Sequence, residues 1–506
     1  MRIPIDRQSD IPLYQQIESF IRQGILSGSL APETRLPATR QMAKDLGVNR
    51  ITIETAYGAL EADGLIHSRT GSGTFILPPV QLPRLEQSKT GTAWPRWQQD
   101  LQEPRGPSQN LETRQKSAGI TEPINFSGGT GDSRLFPVED YRKVIQEVLR
   151  RDGISALDYG EHSGYRPLQN TIAHILASQG IPAQPESVLI TAGSQQAIAL
   201  VTQLLLKPGD VILIESPTYA VALDLFHALQ LRVIGIPMDE YGMQVDLVEE
   251  LLQQHDPKLL YTIPNFHNPT GTCLSSFRRR QLLALADRYN LPILEDDYVG
   301  DLRYEGHAQP ALKSLDPGGR VIYASTFSKM LMPGLRVGFL VAEGPVYDSL
   351  VRYKHINDLT TSNLHQRSLE AYVNVGRYQA HLRRTCQLYR RRRDAMLEAI
   401  NRYFPALVTV GAPQGGLFLW PRLPDGLSVV ELLPIAREEG VIFAPGYRFF
   451  ADGVSGERHF RLNFASQPVE TISEGIKRLG KAIRRLEKQV ADLGGGVYAA
   501  SHSAAG

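Results

Sequence analysis

Val321-Ile322-Tyr323-Ala324-Ser325-Thr326-Phe327-Ser328-Lys329-Met330-Leu331-Met332-Pro333-Gly334-Leu335-Arg336-Val337-Gly338 sets a single lysine between two apolar segments. Val321 to Ala324 reads as a short buried strand, a Pro-Gly turn follows the lysine, and Val337 to Val341 reads as a second strand. An amine desolvated between strands is neutral part of the time and forms Schiff bases with aldehydes. The hydroxyls of Thr326 and Ser328 suit a phosphate, as does the planar fork of Arg336. Lysines at strand ends are more often plain surface residues. The rest of the chain must therefore supply the partners of such a site.

The partners lie upstream. Leu291-Pro292-Ile293-Leu294-Glu295-Asp296-Asp297-Tyr298 is a strand ending in acids and a tyrosine. A carboxylate there can pair with a pyridinium nitrogen, and a phenol two residues on can reach a ring hydroxyl. Tyr261 to Ile263 reads as a strand followed by Asn268-Pro269-Thr270-Gly271, a turn that aims an amide at the same oxygen. Gly193-Ser194-Gln195-Gln196-Ala197 opens a helix whose free N–H groups make a phosphate seat. Pro217-Thr218-Tyr219 offers an aromatic face. A lysine amine with an acidic partner for the ring nitrogen is what pyridoxal phosphate asks for.

From about Asn125 to Leu486 the chain resembles fold-type I pyridoxal-phosphate enzymes of the aminotransferase class I/II kind. The resemblance rests on the pieces just quoted, together with Ser325-Thr326-Phe327-Ser328-Lys329 and Arg461-Leu462-Asn463-Phe464, in the family's order. It implies that Lys329 carries the cofactor and that Asp296 faces the ring nitrogen. Asn268 and Tyr298 would serve the ring hydroxyl, and Tyr219 would stack on the ring. Ser194, Gln195, Thr326, Ser328 and Arg336 would take the phosphate. Arg461 would receive the carboxylate of an amino-acid ligand. Tyr159, in Asp158-Tyr159-Gly160-Glu161-His162-Ser163-Gly164, would reach the phosphate of a neighbouring subunit, which implies a homodimer. His162 and His267 lie inside motifs, and a structural role suits each better than ligand contact.

The N-terminus is a different kind of sequence. Pro12 to Ile25 has apolar residues at helical spacing, and Gly28 with Pro32 ends it. Leu36 to Gly47 reads as a second helix, Val48-Asn49 as a turn, and Arg50 to Asp63 as a third helix with Ile53, Ala56, Tyr57 and Leu60 inward. Gly64 to Ile76 is a hairpin with a Gly-Ser-Gly tip. From Leu13 to Ile76 this closely resembles the winged helix of the GntR family of bacterial transcription regulators. The resemblance implies that Arg40, Asn49, Arg50 and Thr52 face DNA, Arg35 lies near its backbone, and Thr70 and Gly71 form the wing tip. The family often has Ser where this chain has Ala38. Met1 to Leu77 holds eight Lys/Arg against eight Asp/Glu, so no overall basic character supports DNA binding. The local cluster Arg35, Arg40, Lys44 and Arg50 does.

The whole chain of 506 residues carries a net charge of +1 and two cysteines, Cys273 and Cys386. That excludes a disulfide framework, and no His/Cys cluster predicts a metal. No signal-peptide pattern or membrane-length apolar run is visible, so a cytoplasmic protein is expected. The expected organisation is a multi-domain α/β chain. Residues 1–77 form the winged helix-turn-helix and 78–123 a Pro/Gln/Ser-rich linker with Trp94 and Trp97. Residues 124–490 form the aminotransferase-like unit, a mostly parallel sheet with a small C-terminal α/β domain, and 491–506 a disordered tail. Arg390 to Arg393 reads as a solvated helix face rather than a nucleic-acid patch.

Joined together, the halves resemble the MocR-type subfamily of GntR regulators. That implies a transcription factor for double-stranded DNA whose effector is pyridoxal phosphate, an amino compound, or both. An active aminotransferase carrying a DNA-binding head is the alternative. A regulator with a purely structural cofactor ranks third.

Overall fold

The computed structural model describes residues 3–69, 72–78 and 123–502. The chain falls into two compact units, dividing at residues 101 and 102.

In the first unit, helices Leu13–Leu26, Thr39–Leu46 and Arg50–Ala62 pack with a three-stranded sheet of Arg35–Leu36, Gly73–Ile76 and Ile66–Arg69. Its core takes Ile17, Ile21 and Ile25 from the first helix and Ile53, Ala56, Tyr57 and Leu60 from the third, the stripes expected from helical spacing. The second helix starts later than the sequence pattern suggests. Pro37 disfavours helical geometry in Leu36, and Arg35 and Leu36 instead pair with Phe75 and Thr74. The wing hairpin closes with Arg69 opposite Gly73. The predicted tip residues Thr70 and Gly71 lie outside the described residues, as does most of the 78–123 linker with its two tryptophans.

The second unit is built on an eight-stranded sheet. Its order is Val188–Thr191, Gly338–Val341, Val321–Thr326, Ile293–Asp297, Leu259–Thr262, Val211–Ser216, Arg232–Asp239 and Gly242–Met243. The five central strands from Val321–Thr326 to Arg232–Asp239 run parallel, while Gly338–Val341 is antiparallel to both neighbours. The central strands Val321–Thr326, Ile293–Asp297 and Leu259–Thr262 are buried along their length, as both-faced coverage requires. A smaller C-terminal layer contains the sheet Phe418–Leu419, Phe460–Asn463, Ala444–Pro445, with helices Val429–Glu438 and Val469–His502.

Three expectations are corrected. Ile124–Asn125, at the start of the 124–490 unit, pairs in parallel with Val441–Ile442 of the C-terminal layer and not with the large sheet. Asn463 N–H donates to the Phe126 carbonyl at 2.9 Å, fixing the same segment there. The arginine run is not a solvated face throughout. Arg392 is buried against Asp132 at 2.7 Å, and Arg393 is buried with Glu305 at 2.6 Å. Finally, the last helix continues to His502, through Gly494 to Gly496, where a disordered tail was expected from residue 491.

Ala38 is the N-cap of helix Thr39–Leu46 and offers no side-chain hydrogen bond to its orphan N–H groups. Ala38→Ser should therefore stabilise the first unit by about 1 kcal/mol. Urea unfolding of the full chain, followed at the amides of that helix, measures it; an unchanged or lower midpoint contradicts the capping argument.

Candidate functional site

Three consecutive acids end the central strand, and strand alternation sorts them. Glu295 accepts backbone N–H bonds from Leu312 and Lys313 at 2.9 and 2.8 Å. Asp297 accepts from Tyr323 at 2.8 Å and Asn265 at 3.3 Å. Both answer electrostatically to the fully buried Arg279, which is held by four carbonyl-type oxygens around it. Asp296 points the other way and lines a cleft of about 500 Å³. Its Oδ2 accepts from Tyr261 at 2.8 Å, while its buried Oδ1 has no hydrogen-bond partner. Burial pushes Asp296 up to about 7, with Asp297 and Glu215 adding and Tyr261 and Lys329 opposing.

Lys329 lines the same cleft. Burial lowers its amine from 10.5 to about 8, helped by Arg461 and Arg336 and opposed by Asp296. At neutral pH roughly a tenth of it is then uncharged, hundreds of times the share of an ordinary lysine. Tyr298, Asn268, Tyr219 and Ser194 complete the walls. The Tyr298 hydroxyl donates to the Phe266 carbonyl at 3.0 Å. Burial pushes Tyr219 up to about 12.

The helix start beside the cleft is assembled by close approach. Helix Ser194–Leu205 begins at Gly193, whose φ of 96° places no side chain over its start and gives it no side-chain cap. An added Cβ on Gly193 would meet Arg336 Nη2 at 2.7 Å, and one on Gly338 would meet the Gly193 backbone at 2.7 Å. Arg336 donates to the Ala192 carbonyl at 2.7 Å from an exposed position. Thr326 and Ser328 are buried beside each other, hydroxyl to hydroxyl at 3.0 Å, with Thr326 also 3.2 Å from the Val337 carbonyl. Gln195 leaves a buried amide oxygen unpartnered. Thr326, Ser328, Gln195 and Arg336 thus stand behind the cleft wall rather than lining it.

Arg461 is a buried cation of the site. It donates to Asn268 Oδ1 at 2.8 Å and to the Ser127 carbonyl at 2.7 Å, and stacks 4.1 Å from the Phe418 ring centre. No carboxylate lies within ion-pair distance of it among the described residues. Burial lowers it to about 10. Tyr159 is 77% exposed and lines a separate depression, away from this chain's own cleft. His162 is exposed with its ring tilted against that of His355, whereas His267 is buried with Nε2 3.2 Å from Glu215, a carboxylate that accepts from Thr262 and the Ile263 N–H. Sequence reasoning missed Tyr261 and Glu215. Both belong to strands whose pairing brings them beneath the site, a relation carried by no local motif.

In the first unit Arg40 is exposed and Thr52 half-buried on neighbouring helices. Arg50 pairs with Glu54 at 2.7 Å on the exposed side of the third helix. Asn49 uses its side chain to cap that helix, accepting from the Ile51 N–H at 3.0 Å. Arg35 packs over Gly73 at the base of the wing.

The fold and the cleft define a two-part chain, a winged helix joined to a fold-type I aminotransferase unit. Residues 122–479 match the family "Aminotransferase class I and II", and residues 13–76 match "Bacterial regulatory proteins, gntR family". The probable rhizopine catabolism regulatory protein MocR of Rhizobium meliloti is 31% identical over 96% of this chain and 96% of its own. Aromatic-amino-acid aminotransferase 1 of Thermococcus litoralis is 38% identical over 74% of this chain and 91% of its own. The α-aminoadipate aminotransferase LysN of Thermus thermophilus, solved with N-(5'-phosphopyridoxyl)-L-leucine, is 38% identical, covers 72% of this chain and 93% of its own, and superposes with a TM-score of 0.69. The chain belongs to the aminotransferase class I and II family and, with its gntR-family head, to the MocR-type regulators. That family depends on pyridoxal phosphate. The residues fit this cofactor. They offer an amine shifted toward neutrality, an unpartnered buried carboxylate oxygen, and an uncapped helix start beside an arginine.

A buried carboxylate with a raised pKa costs stability as pH rises from its unfolded value, 3.8, toward about 7. Asp296→Asn removes that cost. The cofactor-free variant should melt above wild type near about pH 8, with a smaller gain near about pH 5, yet hold pyridoxal phosphate at least about tenfold more weakly. Calorimetry of both forms measures this; a lower melting temperature without cofactor contradicts it.

Proposed function

We propose that this chain is a DNA-binding regulator that holds pyridoxal phosphate at Lys329 and responds to an amino acid whose carboxylate enters at Arg461. When bound, the cofactor supplies an aldehyde that condenses with amines and a ring that withdraws electrons. Lys329 is positioned to carry it and, when displaced by a ligand amine, to take up a proton at its Nζ. Asp296 Oδ1 is free to accept a ring N–H, with Tyr261 keeping the opposite oxygen fixed. Asn268 and Tyr298 orient a ring oxygen, Tyr219 covers a ring face, and the Ser194 helix start receives the phosphate with Arg336 beside it. Tyr159, exposed and outside its own cleft, is available to a second copy of the chain, so the reading includes a homodimer.

The observation that carries the proposal is the set of bonds that Arg461 makes to the protein itself. Its Nη2 holds the backbone carbonyl of Ser127, and its Nη1 holds Asn268. A carboxylate is a stronger acceptor than a carbonyl or amide oxygen, so an entering ligand competes for the same N–H groups. Ser127 lies in the short segment between residues 79–122, which join the two units, and the body of the aminotransferase-like unit. Ligand binding at Arg461 thereby reaches the stretch that leads to the DNA-binding head. It shifts DNA affinity only as far as the ligand prefers one arrangement of that stretch over the other.

Turnover is the second reading. It is favoured by the presence of Lys329, Asp296 and Arg461 in one cleft, with the lysine amine lowered to about 8.

One experiment separates the two. Binding to a duplex from upstream of the chain's own gene is measured for wild type and Lys329→Ala, with and without pyridoxal phosphate, while visible absorption reports the bound cofactor. Cofactor-dependent affinity that is lost in the variant is expected. A coloured protein that ignores this duplex and transaminates common amino acids would sink the regulatory reading.

A further inference from the structure

Arg461 is not the only cation facing the cleft. Arg448, on the short turn Gly446–Phe449, lines it together with Lys329 and Arg461, and Arg437 of helix Val429–Glu438 lies at its exposed rim. Arg448 is half-buried, yet among the described residues it has neither an ion pair within 4 Å nor a side-chain hydrogen bond. Charged groups nearby feel its field. Arg461 is one, of like sign. Asp224 is another, and its carboxyl still sits above its ordinary value because burial outweighs the help of Arg448. Arg448 is therefore a cation near a second cation, with Asp224 close enough to feel its charge but no carboxylate in ion-pair contact among the described residues.

Its position is fixed by backbone. The Gly446 N–H donates to the His459 carbonyl at 2.7 Å, and a Cβ on Gly446 would meet the Gly456 carbonyl at 2.3 Å. The Phe449 carbonyl accepts from the Thr218 N–H at 2.8 Å, tying the turn to the loop that carries Tyr219. Phe449 itself lies 4.9 Å from the Arg461 guanidinium. The turn thus presents Arg448 to the cleft while its next residue packs the carboxylate-binding arginine. Leu433, Ile442 and Val221 supply apolar wall in the same cleft.

We infer that Arg448 reads a second carboxylate, at the end of the ligand's side chain, so that the effector class is the dicarboxylic amino acids. This rests on the proposed entry of the ligand's first carboxylate at Arg461. A ligand with one acid group leaves Arg448 unmatched beside Arg461. A ligand with two gives each guanidinium an anion, and its methylenes lie against the apolar wall. Arg437 adds charge of the same sign at the mouth and favours the same ligands at a distance.

The test uses the cofactor-loaded full chain and titration calorimetry with L-2-aminoadipate, L-glutamate and L-norleucine. Norleucine has the carbon chain of 2-aminoadipate with a methyl in place of the terminal carboxylate. Wild type should bind 2-aminoadipate or glutamate at least about tenfold more tightly than norleucine. Arg448→Leu should abolish that preference while leaving norleucine binding and the cofactor's absorption unchanged, and Arg448→Lys should restore part of it. Equal affinity for the acidic and neutral ligands, or equal weakening of both in Arg448→Leu, overturns the inference and leaves sensing at Arg461 standing. Failure of all three to bind overturns both.

Discussion

A buried guanidinium without a carboxylate is an unusual thing to build, and Arg461 is one. Taking a charge out of water is costly unless other groups replace the lost hydration. Here the replacement is partial: an amide oxygen, backbone carbonyls, and the faces of Phe418 and Phe449. One guanidinium N–H, at Nε, remains buried and unanswered among the described residues. These substitutes neutralise none of the charge, which keeps the position receptive to an anion. They also make Arg461 a structural tie. It joins strand Phe460–Asn463 to the backbone at Ser127, while its neighbour Asn463 holds the carbonyls of Gly128 and Thr130. Arg392 completes the tie by gripping Asp132.

The opposite pole is the acid row at the end of the central strand. Three adjacent carboxylates would repel one another on a single face. Alternation sends Glu295 and Asp297 toward backbone donors, Tyr323 and Arg279, and leaves Asp296 in the cleft with half of its hydrogen-bonding capacity unused. Lys329 feels both poles. The positive charge of Arg461 and Arg336 lowers its amine and Asp296 raises it, with burial the largest influence. An amine that gives up its proton near pH 8 and a carboxyl poised near 7 make the cleft responsive to a ligand that brings its own charges.

Much of this was legible in the chain itself. The apolar runs around Tyr261, Leu294, Val321 and Val337 all fall on strands of the large sheet, because short apolar segments between turn residues have few other fates in a sheet covered on both faces. The cleft residues Lys329, Asp296, Tyr298, Asn268, Tyr219, Ser194 and Arg461 were nameable because each sits at a strand end or helix start within its own local motif. What escaped was long-range. Tyr261 reaches Asp296 through the pairing of Leu259–Thr262 with Ile293–Asp297, and Arg392 meets an acid 260 residues away. A run of arginines looks the same in sequence whether its partners are water or buried acids. Arg448 was silent for a related reason: its neighbours Phe449 and Thr218 place it in the cleft, and the sequence near it has no charge pattern.

The central claim is that a ligand carboxylate and the Ser127–Gly128 backbone compete for Arg461. Amide hydrogen exchange across 124–132 in the cofactor-loaded full chain, with and without a bound amino acid, tests it most directly. The account predicts faster exchange in this segment on ligand binding, together with a change in DNA affinity. Unchanged exchange there, while the ligand binds and DNA affinity shifts, would contradict it.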